Sequence, residues 1–410
     1  MKKTLFTFLV MLMSIVCVFV LTGCPSPEDP AAPEDPATPD PAPYVRPEVT
    51  GKIGRYGTPY EVGDIVFTDG SATPAADIES RADVDSVTGT KLTVAEKNAI
   101  VAYIFYVGNE LNNGNDTTTR TLGVGFEVFP YSNVWISFWV GVPDYSIDSL
   151  TCSVTGTSGA YSFSGIKNGR GKLDDAFNAY RAYSELLVEE TKTKIEVMLP
   201  NVTTYLEEAI NIATGNEDAL TYLSNISGED INEDKESFDA YVNASGPIDT
   251  DHLVSILGSI SANFHEIYDA FLSAAGEFDI GSEESDLLYS YSTEVFDYCE
   301  ELDSIHLFSI ERNDFVAFVS AEEYGSAFSS YSDGWYLPTI AELYEVWKKK
   351  DDLCAIMGEE YDYEQVVSAT QAADAGKCDL LNFSSGEISS GSKTSGNYYA
   401  AFAIREFPAE

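Results

Sequence analysis

Asp333-Gly334-Trp335-Tyr336-Leu337-Pro338-Thr339-Ile340-Ala341-Glu342-Leu343-Tyr344-Glu345-Val346-Trp347 is the stretch on which the fold reading turns. Asp333-Gly334 signals a turn, because glycine tolerates the positive φ that such turns need. Trp335 and Leu337 alternate with Tyr336 as a short buried strand does. Pro338 disfavours the α region for Leu337, so a helix must start after it. Thr339 and Glu342 are three apart, the spacing of a capping box. Ile340, Leu343, Val346 and Trp347 then form one apolar stripe at helical spacing. Lys348, Lys349 and Lys350 stand where a helix C-terminus favours cations.

Working outward, Leu92-Thr93-Val94-Ala95-Glu96 opens a helix with Thr93 as N-cap, and Ile100–Val107 is a strand-like apolar run. Val134–Val140 reads as a second, aromatic-rich buried strand. From about Asp174 to Ser304 the pattern turns helical. Leu186, Leu187, Ile195 and Leu199 form an amphipathic series up to Pro200, and Val202, Leu206 and Ile210 continue it to Gly215. Leu253, Ile256, Leu257, Ile260, Phe264 and Phe271 make the clearest helix, with Asp249 or Thr250 as cap. Leu288, Tyr291 and Val295 mark a last one.

At the N-terminus, Lys2 and Lys3 precede an apolar run from Leu5 to Leu21, the pattern of a signal peptide. Leu21-Thr22-Gly23-Cys24 reads as a lipobox, which makes Cys24 the lipidated residue. Two or three acyl chains anchor a protein stably where one does not. Pro25 rather than an aspartate follows the cysteine, which favours the outer membrane. Residues 25–47 hold nine of the seventeen prolines, with Ala, Asp and Glu between them. Such a segment buries no core and prefers extended polyproline II. As a stalk it would span roughly 60–70 Å at about 3.1 Å per residue.

The chain carries a formal charge of −44 and a pI near 4.1. Nucleic-acid binding requires a basic footprint, and none is visible. Acidity of this kind serves solubility. No apolar run beyond the N-terminal one is long enough to span a bilayer.

The opening stretch also carries a resemblance. Gly334-Trp335-Tyr336-Leu337-Pro338-Thr339-Ile340-Ala341-Glu342-Leu343 resembles the signature of the Lcl C-terminal-like domain family of bacterial surface proteins and lipoproteins, with Gly334, Trp335, Leu337, Pro338, Thr339 and Glu342 as its signature positions. That family is in turn similar to the formylglycine-generating (sulfatase-modifying) family. Asp379–Ile388 resembles the family's hairpin and Tyr398–Phe407 its closing strand. Tyr60–Phe67, Ala102–Gly108 and Thr119–Gly125 resemble its early strands. Where family members often carry Trp-Ser-Ser-Ser, this chain has Val367-Ser368-Ala369-Thr370.

The resemblance implies an α+β fold: a C-type lectin-like domain interrupted by an α-helical insertion and preceded by the signal peptide and disordered stalk. The expected boundaries are 1–23 signal peptide, 24–50 stalk, 51–172 first half of the lectin-like domain, 173–304 helical insertion and 305–410 second half. After maturation Cys152, Cys299, Cys354 and Cys378 remain beside Cys24, an even number in an exported chain. The expectation is a Cys354–Cys378 disulfide, with Cys152–Cys299 tying the ends of the insertion. Buried free thiols are the alternative.

The sequence shows little chemistry. There is no Cys-x-x-Cys pair, and His252, His265 and His306 are scattered, so zinc is disfavoured. No Gly-x-Ser-x-Gly elbow appears. Gly165–Gly171 is glycine-rich but lacks phosphate-loop and dinucleotide spacing, and reads as a turn. Asp230, Asn232 and Asp234 space like the start of a calcium loop, but Lys235 and Tyr241 replace its glycine and glutamate. No cofactor or metal is expected.

The resemblance implies a non-enzymatic, lipid-anchored adhesin-like protein of the cell surface. Its partners would be the membrane, through Cys24, and a host or matrix protein or polysaccharide. The Ser-, Gly- and Asn-rich loops around Ser384–Asn397 suit adaptable hydrogen bonding, and as readily read as plain solvated turns. The alternative is a periplasm-facing structural lipoprotein whose helical insertion docks a protein.

Overall fold

The computed structural model describes residues 46–82, 90–133, 145–226, 228–244, 249–357, 361–394 and 399–408. The chain divides into two units, Met1–Arg46 and Pro47–Glu410. The signal peptide, Cys24, most of the stalk and the expected strand Val134–Val140 lie outside the described residues. All that follows concerns the second unit.

In chain order the elements are β1 (Asp64–Phe67), β2 (Ala72–Pro74), α1 (Ala75–Glu79), α2 (Val94–Ala99), β3 (Ile100–Gly108), β4 (Arg120–Val124), β5 (Phe129–Asn133), β6 (Cys152–Thr155) and β7 (Ser162–Gly165). Five helices follow: α3 (Lys172–Ala213), α4 (Glu217–Ser224), α5 (Gly228–Val242), α6 (Thr250–Glu277) and α7 (Ser282–Asp303). The last part holds α8 (Val316–Glu323), β8 (Trp335–Tyr336), α9 (Ile340–Trp347), α10 (Lys350–Met357), β9 (Val366–Gln371), β10 (Lys377–Leu381), β11 (Ile388–Ser392), β12 (Tyr399–Ala401) and β13 (Ile404–Phe407). The fold is α+β.

The strands form a six-stranded sheet of order β2-β1-β3-β4-β13-β8, a five-stranded sheet of order β11-β10-β9-β12-β5, and the hairpin β6-β7. Strand β13 joins the early strands to the late Trp335 turn. It pairs antiparallel with β4, setting Glu406 opposite Leu122, and with β8, setting Arg405 opposite Trp335. The early strands and the Trp335 turn therefore share one sheet.

Burial on both faces explains the unbroken apolar runs. Val66, Val101, Ile104, Trp335, Leu337, Leu380, Tyr399 and Phe407 close one core. Ile65, Tyr103, Leu122, Leu343, Val346, Leu381 and Phe402 close another. Helix α9 packs against β3, β9 and β10, which buries its whole apolar stripe except Trp347. Thr339 caps it with a complete capping box, and Gly334 has φ 81°, both as the spacing predicts. The helix stops at Trp347 with Lys348 as C-cap, while Lys350 opens the next helix. Thr93 and Asp249 cap α2 and α6 as expected.

The helices have their own core, built by Val202, Leu206, Ile260, Phe264, Phe271, Val295 and Cys299. Helix α3 belongs to two cores. Leu173, Ala176 and Tyr180 enter the first sheet core, and from Val188 onward the helix serves the helical core. The helix runs through Pro200 without a break, as the continuing series predicts. Pro200 lies inside the 42-residue helix on its exposed side, and so does Glu196. Water can therefore satisfy the Glu196 carbonyl that Pro200, lacking an N–H, leaves without a donor. Meanwhile Leu199 and Val202 hold the buried side.

Neither expected disulfide forms: Cys152, Cys299, Cys354 and Cys378 are free thiols. Cys299 is buried in the helical core, whereas Cys152 packs against the two sheet cores. Cys378 points into the sheet, its thiol 3.7 Å from the Gly391 carbonyl. Cys354 borders the opposite core from Cys378. Each expected pair is thus divided between different cores.

Candidate functional site

The signature stretch builds an internal tie rather than a cleft. Glu342 is 0 % exposed, and its carboxylate meets five donors. Thr339 N at 2.9 Å, Thr339 Oγ1 at 3.1 Å and Gly169 N at 3.0 Å donate to Oε2. Tyr336 OH at 3.0 Å and Arg120 Nη2 at 3.2 Å donate to Oε1. Arg120, itself buried, donates also to the Leu111 carbonyl at 2.9 Å, Asn168 Oδ1 at 3.1 Å and Tyr336 OH at 2.7 Å. Burial pushes the Glu342 carboxyl above its ordinary range, against the opposing pull of Arg120. Burial likewise holds the Tyr336 phenol well above its usual value.

This cluster corrects the reading of Gly165–Gly171 as a mere turn. A Cβ on Gly169 would lie 2.5 Å from the Leu337 carbonyl oxygen, so glycine is needed for the loop to reach Glu342. A glycine-rich run was visible in the sequence, but nothing local named its target. Of the signature residues, Trp335, Leu337, Thr339 and Glu342 are all buried, and Gly334 forms the turn. They position the sheets and leave no surface for a ligand.

The accessible site is the hairpin β10–β11. Its turn closes through Asn382 N to the Glu387 carbonyl at 2.8 Å and Gly386 N to the Asn382 carbonyl at 2.7 Å. Gly386 has φ 73° and lies against Trp347, whose ring a Cβ would overlap. Strand β11 is the edge of its sheet, and Ser389 and Ser390 on it are exposed. Two clefts flank it and share Ile388 and Ser389. One, of about 420 Å³, is bounded by Tyr161, Gln365, Asn382 and Glu387. The other, of about 600 Å³, lies between β6, the end of β9 and the hairpin, and is bounded by Cys152, Val154, Gln371, Asp374, Asp379 and Ser390.

Asp379 stands out in the second cleft. It is 8 % exposed, and its Oδ2 has no hydrogen-bond partner. Desolvation pushes its carboxyl up to about 7. Strand β9 changes register opposite it, between the Cys378–Gln371 and Leu380–Val367 pairs. Beneath the cleft, the buried Lys393 donates to Gln371 Oε1 at 2.5 Å and reaches the Tyr180 hydroxyl at 3.4 Å. Gln371 Oε1 also accepts from Ile147 N at 3.1 Å.

Burial raises the Cys152 thiol to about 11, Cys299 to about 11 and Cys378 to about 12. Those thiols are protonated at neutral pH and are poor nucleophiles. His252 and His265 lie on α6, where His265 Nε2 is 3.3 Å from Asp303. His306 borders a small hollow beside α3. None of the three reaches the hairpin clefts. Asp230, Asn232 and Asp234 belong to helix α5, and Asp234 accepts from Ser259 Oγ at 2.6 Å and Asn263 Nδ2 at 2.7 Å. Among the described residues no three potential ligands gather as a metal site, and no helix is long and apolar enough to cross a membrane.

No protein-family model matches the chain, and no curated protein does. Among solved structures, a fimbrial protein from Bacteroides ovatus is similar over 85 % of this chain at 11 % identity and a TM-score of 0.31. The match spans about half of that protein, 49 % of its chain. So partial a superposition decides neither fold nor role here.

Proposed function

We propose that this chain is a non-enzymatic, lipid-anchored binding protein of the cell surface. In this reading Cys24 carries the anchor and the stalk holds a C-type lectin-like domain away from the membrane. The hairpin β10–β11 recognises a host or matrix protein or a polysaccharide. One observation carries the reading: an exposed serine-bearing edge strand, flanked by two clefts, stands on a framework locked by the buried Glu342–Arg120 tie. Edge strands offer unpaired backbone groups to a partner, and a rigid scaffold with polar loops is the common design of binding surfaces.

A screen of the full chain against glycans and matrix proteins tests this, repeated with Ser389→Glu and Ser390→Glu. The expected result is a ligand whose binding both variants abolish. Protease applied to intact cells should cut the protein. Protection until lysis would overturn the surface placement, and Cys24→Ala should leave the protein out of the membrane fraction.

A second reading rests on the helices. Val197 on α3, Val254 on α6 and Leu287 and Tyr289 on α7 are exposed. They suit a periplasm-facing lipoprotein that docks a protein partner on the helical span. Deletion of residues 173–304 would remove every captured partner under this reading and spare hairpin ligands under the first.

A further inference from the structure

We propose that the cleft beneath β11 receives a primary ammonium group on an aliphatic stem, with the Asp379 carboxylate as its counter-ion. The inference rests on the hairpin being the recognition site, and it names the chemistry of one of its clefts.

Four observations lead there. First, Asp379 lines the cleft while more than nine-tenths buried, and its Oδ2 meets no donor. A buried polar group is ordinarily satisfied, and a buried charge is ordinarily paired. Terminal carboxyl torsions are broad and two-fold, so rotation presents either oxygen to the cleft.

Second, the residues bounding the cleft include no cation. Asp374 is the only other charged one, and its carboxylate is held by Lys377 at 2.9 Å. The side chains bounding the cleft therefore offer an anion no countercharge.

Third, Val154, Ile388 and Ala372 give the cleft an apolar wall, which suits the methylene stem of a lysine-like chain. Ser390 stands opposite Asp379 in the register.

Fourth, a divalent cation would need several hard ligands, and no such group of three gathers among the described residues. A neutral hydroxyl would leave the carboxylate's charge uncompensated.

The charged and titratable groups around Asp379 are few. Cys152 faces it from β6 with Lys167 beyond that thiol, Asp374 lies in the preceding turn, Lys377 and Cys378 open β10, and Lys393 follows β11. Burial alone raises the Asp379 carboxyl, to about 7. An arriving ammonium replaces the missing partner and favours the ionised form, so binding near pH 7 expels the Asp379 proton to the buffer. The amine stays charged throughout, its ordinary pKa being about 10.4.

The test is calorimetric titration of the full chain at pH 6, 7 and 8, in buffers of different ionisation heat. The probes are an end-blocked Gly-Gly-Lys-Gly-Gly peptide, its norleucine counterpart and pentylamine. The lysine peptide should bind and the norleucine peptide should not. Affinity should rise about tenfold from pH 6 to pH 8, because a carboxyl of pKa about 7 is roughly one-tenth ionised at the lower value. Proton release should appear at pH 7. Asp379→Asn should abolish binding while melting no lower than the parent. Pentylamine binding as well as the peptide would assign the site to small amines, and peptide binding alone would assign it to a basic side chain of a protein; both support the proposal. It fails if neither amine binds at millimolar concentration, if norleucine binds equally, or if Asp379→Asn binds unchanged. Loss of the screened ligand in Ser389→Glu without any amine binding would leave the hairpin reading standing and remove the ammonium. Amine binding together with a screened ligand indifferent to Ser389→Glu would do the reverse.

Discussion

Two buried carboxylates follow opposite logics. Glu342 is surrounded by five donors, so removing it takes from the buried Arg120 its fully buried counter-ion and leaves it only the more distant, partly exposed Glu406 at 3.4 Å. Glu342→Ala is expected to lower unfolding stability by about 3–5 kcal/mol, read by denaturant titration; a loss under 1 kcal/mol would show that the tie does not hold the sheets. Asp379 has too few donors rather than enough. Its folded pKa of about 7 lies above its ordinary 3.8. The folded state thus binds the extra proton, and the stability it confers is present below pH 3.8 and lost as pH rises to about 7. Asp379→Asn should match the parent near pH 4 and exceed it at pH 8, by no more than about 4 kcal/mol. Melting curves across that range check the sign. The Thr339–Glu342 box was legible because both halves lie within one turn. The Arg120 and Gly169 contacts to the same carboxylate were not, since they come from chain more than 170 residues away. Nothing in the sequence around Asp379 marked it, because its isolation is a property of the packed sheet.

At the scale of elements, periodicity and capping residues were good guides. The stripe through Ile340, Leu343 and Val346 named its helix, and the Ile100–Val107 run named its strand. Pro200 does not end its helix, because the Glu196 carbonyl it leaves without a hydrogen bond faces solvent while Leu199 and Val202 hold the buried side. Pro200→Ala should restore that bond and raise stability by about 2 kcal/mol, visible as a higher melting temperature; a lowered one would mean that the proline bends the helix into a shape its neighbours need. The cysteines misled. An even count says nothing about which core each thiol enters, and the expected pairs are split between cores. A reductant should therefore leave the melting temperature unchanged, whereas a fall of several degrees would reveal a bridge.

Across the second unit, the early strands and the last one meet in one sheet while the helices between them keep a core of their own. That return was visible only as two separated blocks of the same resemblance; composition and length could not show that β13 would pair with both β4 and β8. Helix α3, at about 1.5 Å per residue, is a rod roughly 60 Å long whose near end is rooted among the strands. Tyr180 sits on that root and touches Lys393, which grips Gln371 at the floor of the hairpin cleft. Tyr180 and Lys393 thus hinge the root of the long helix to the floor of that cleft, so a substitution at Tyr180 would loosen Gln371 as well as the helix it belongs to.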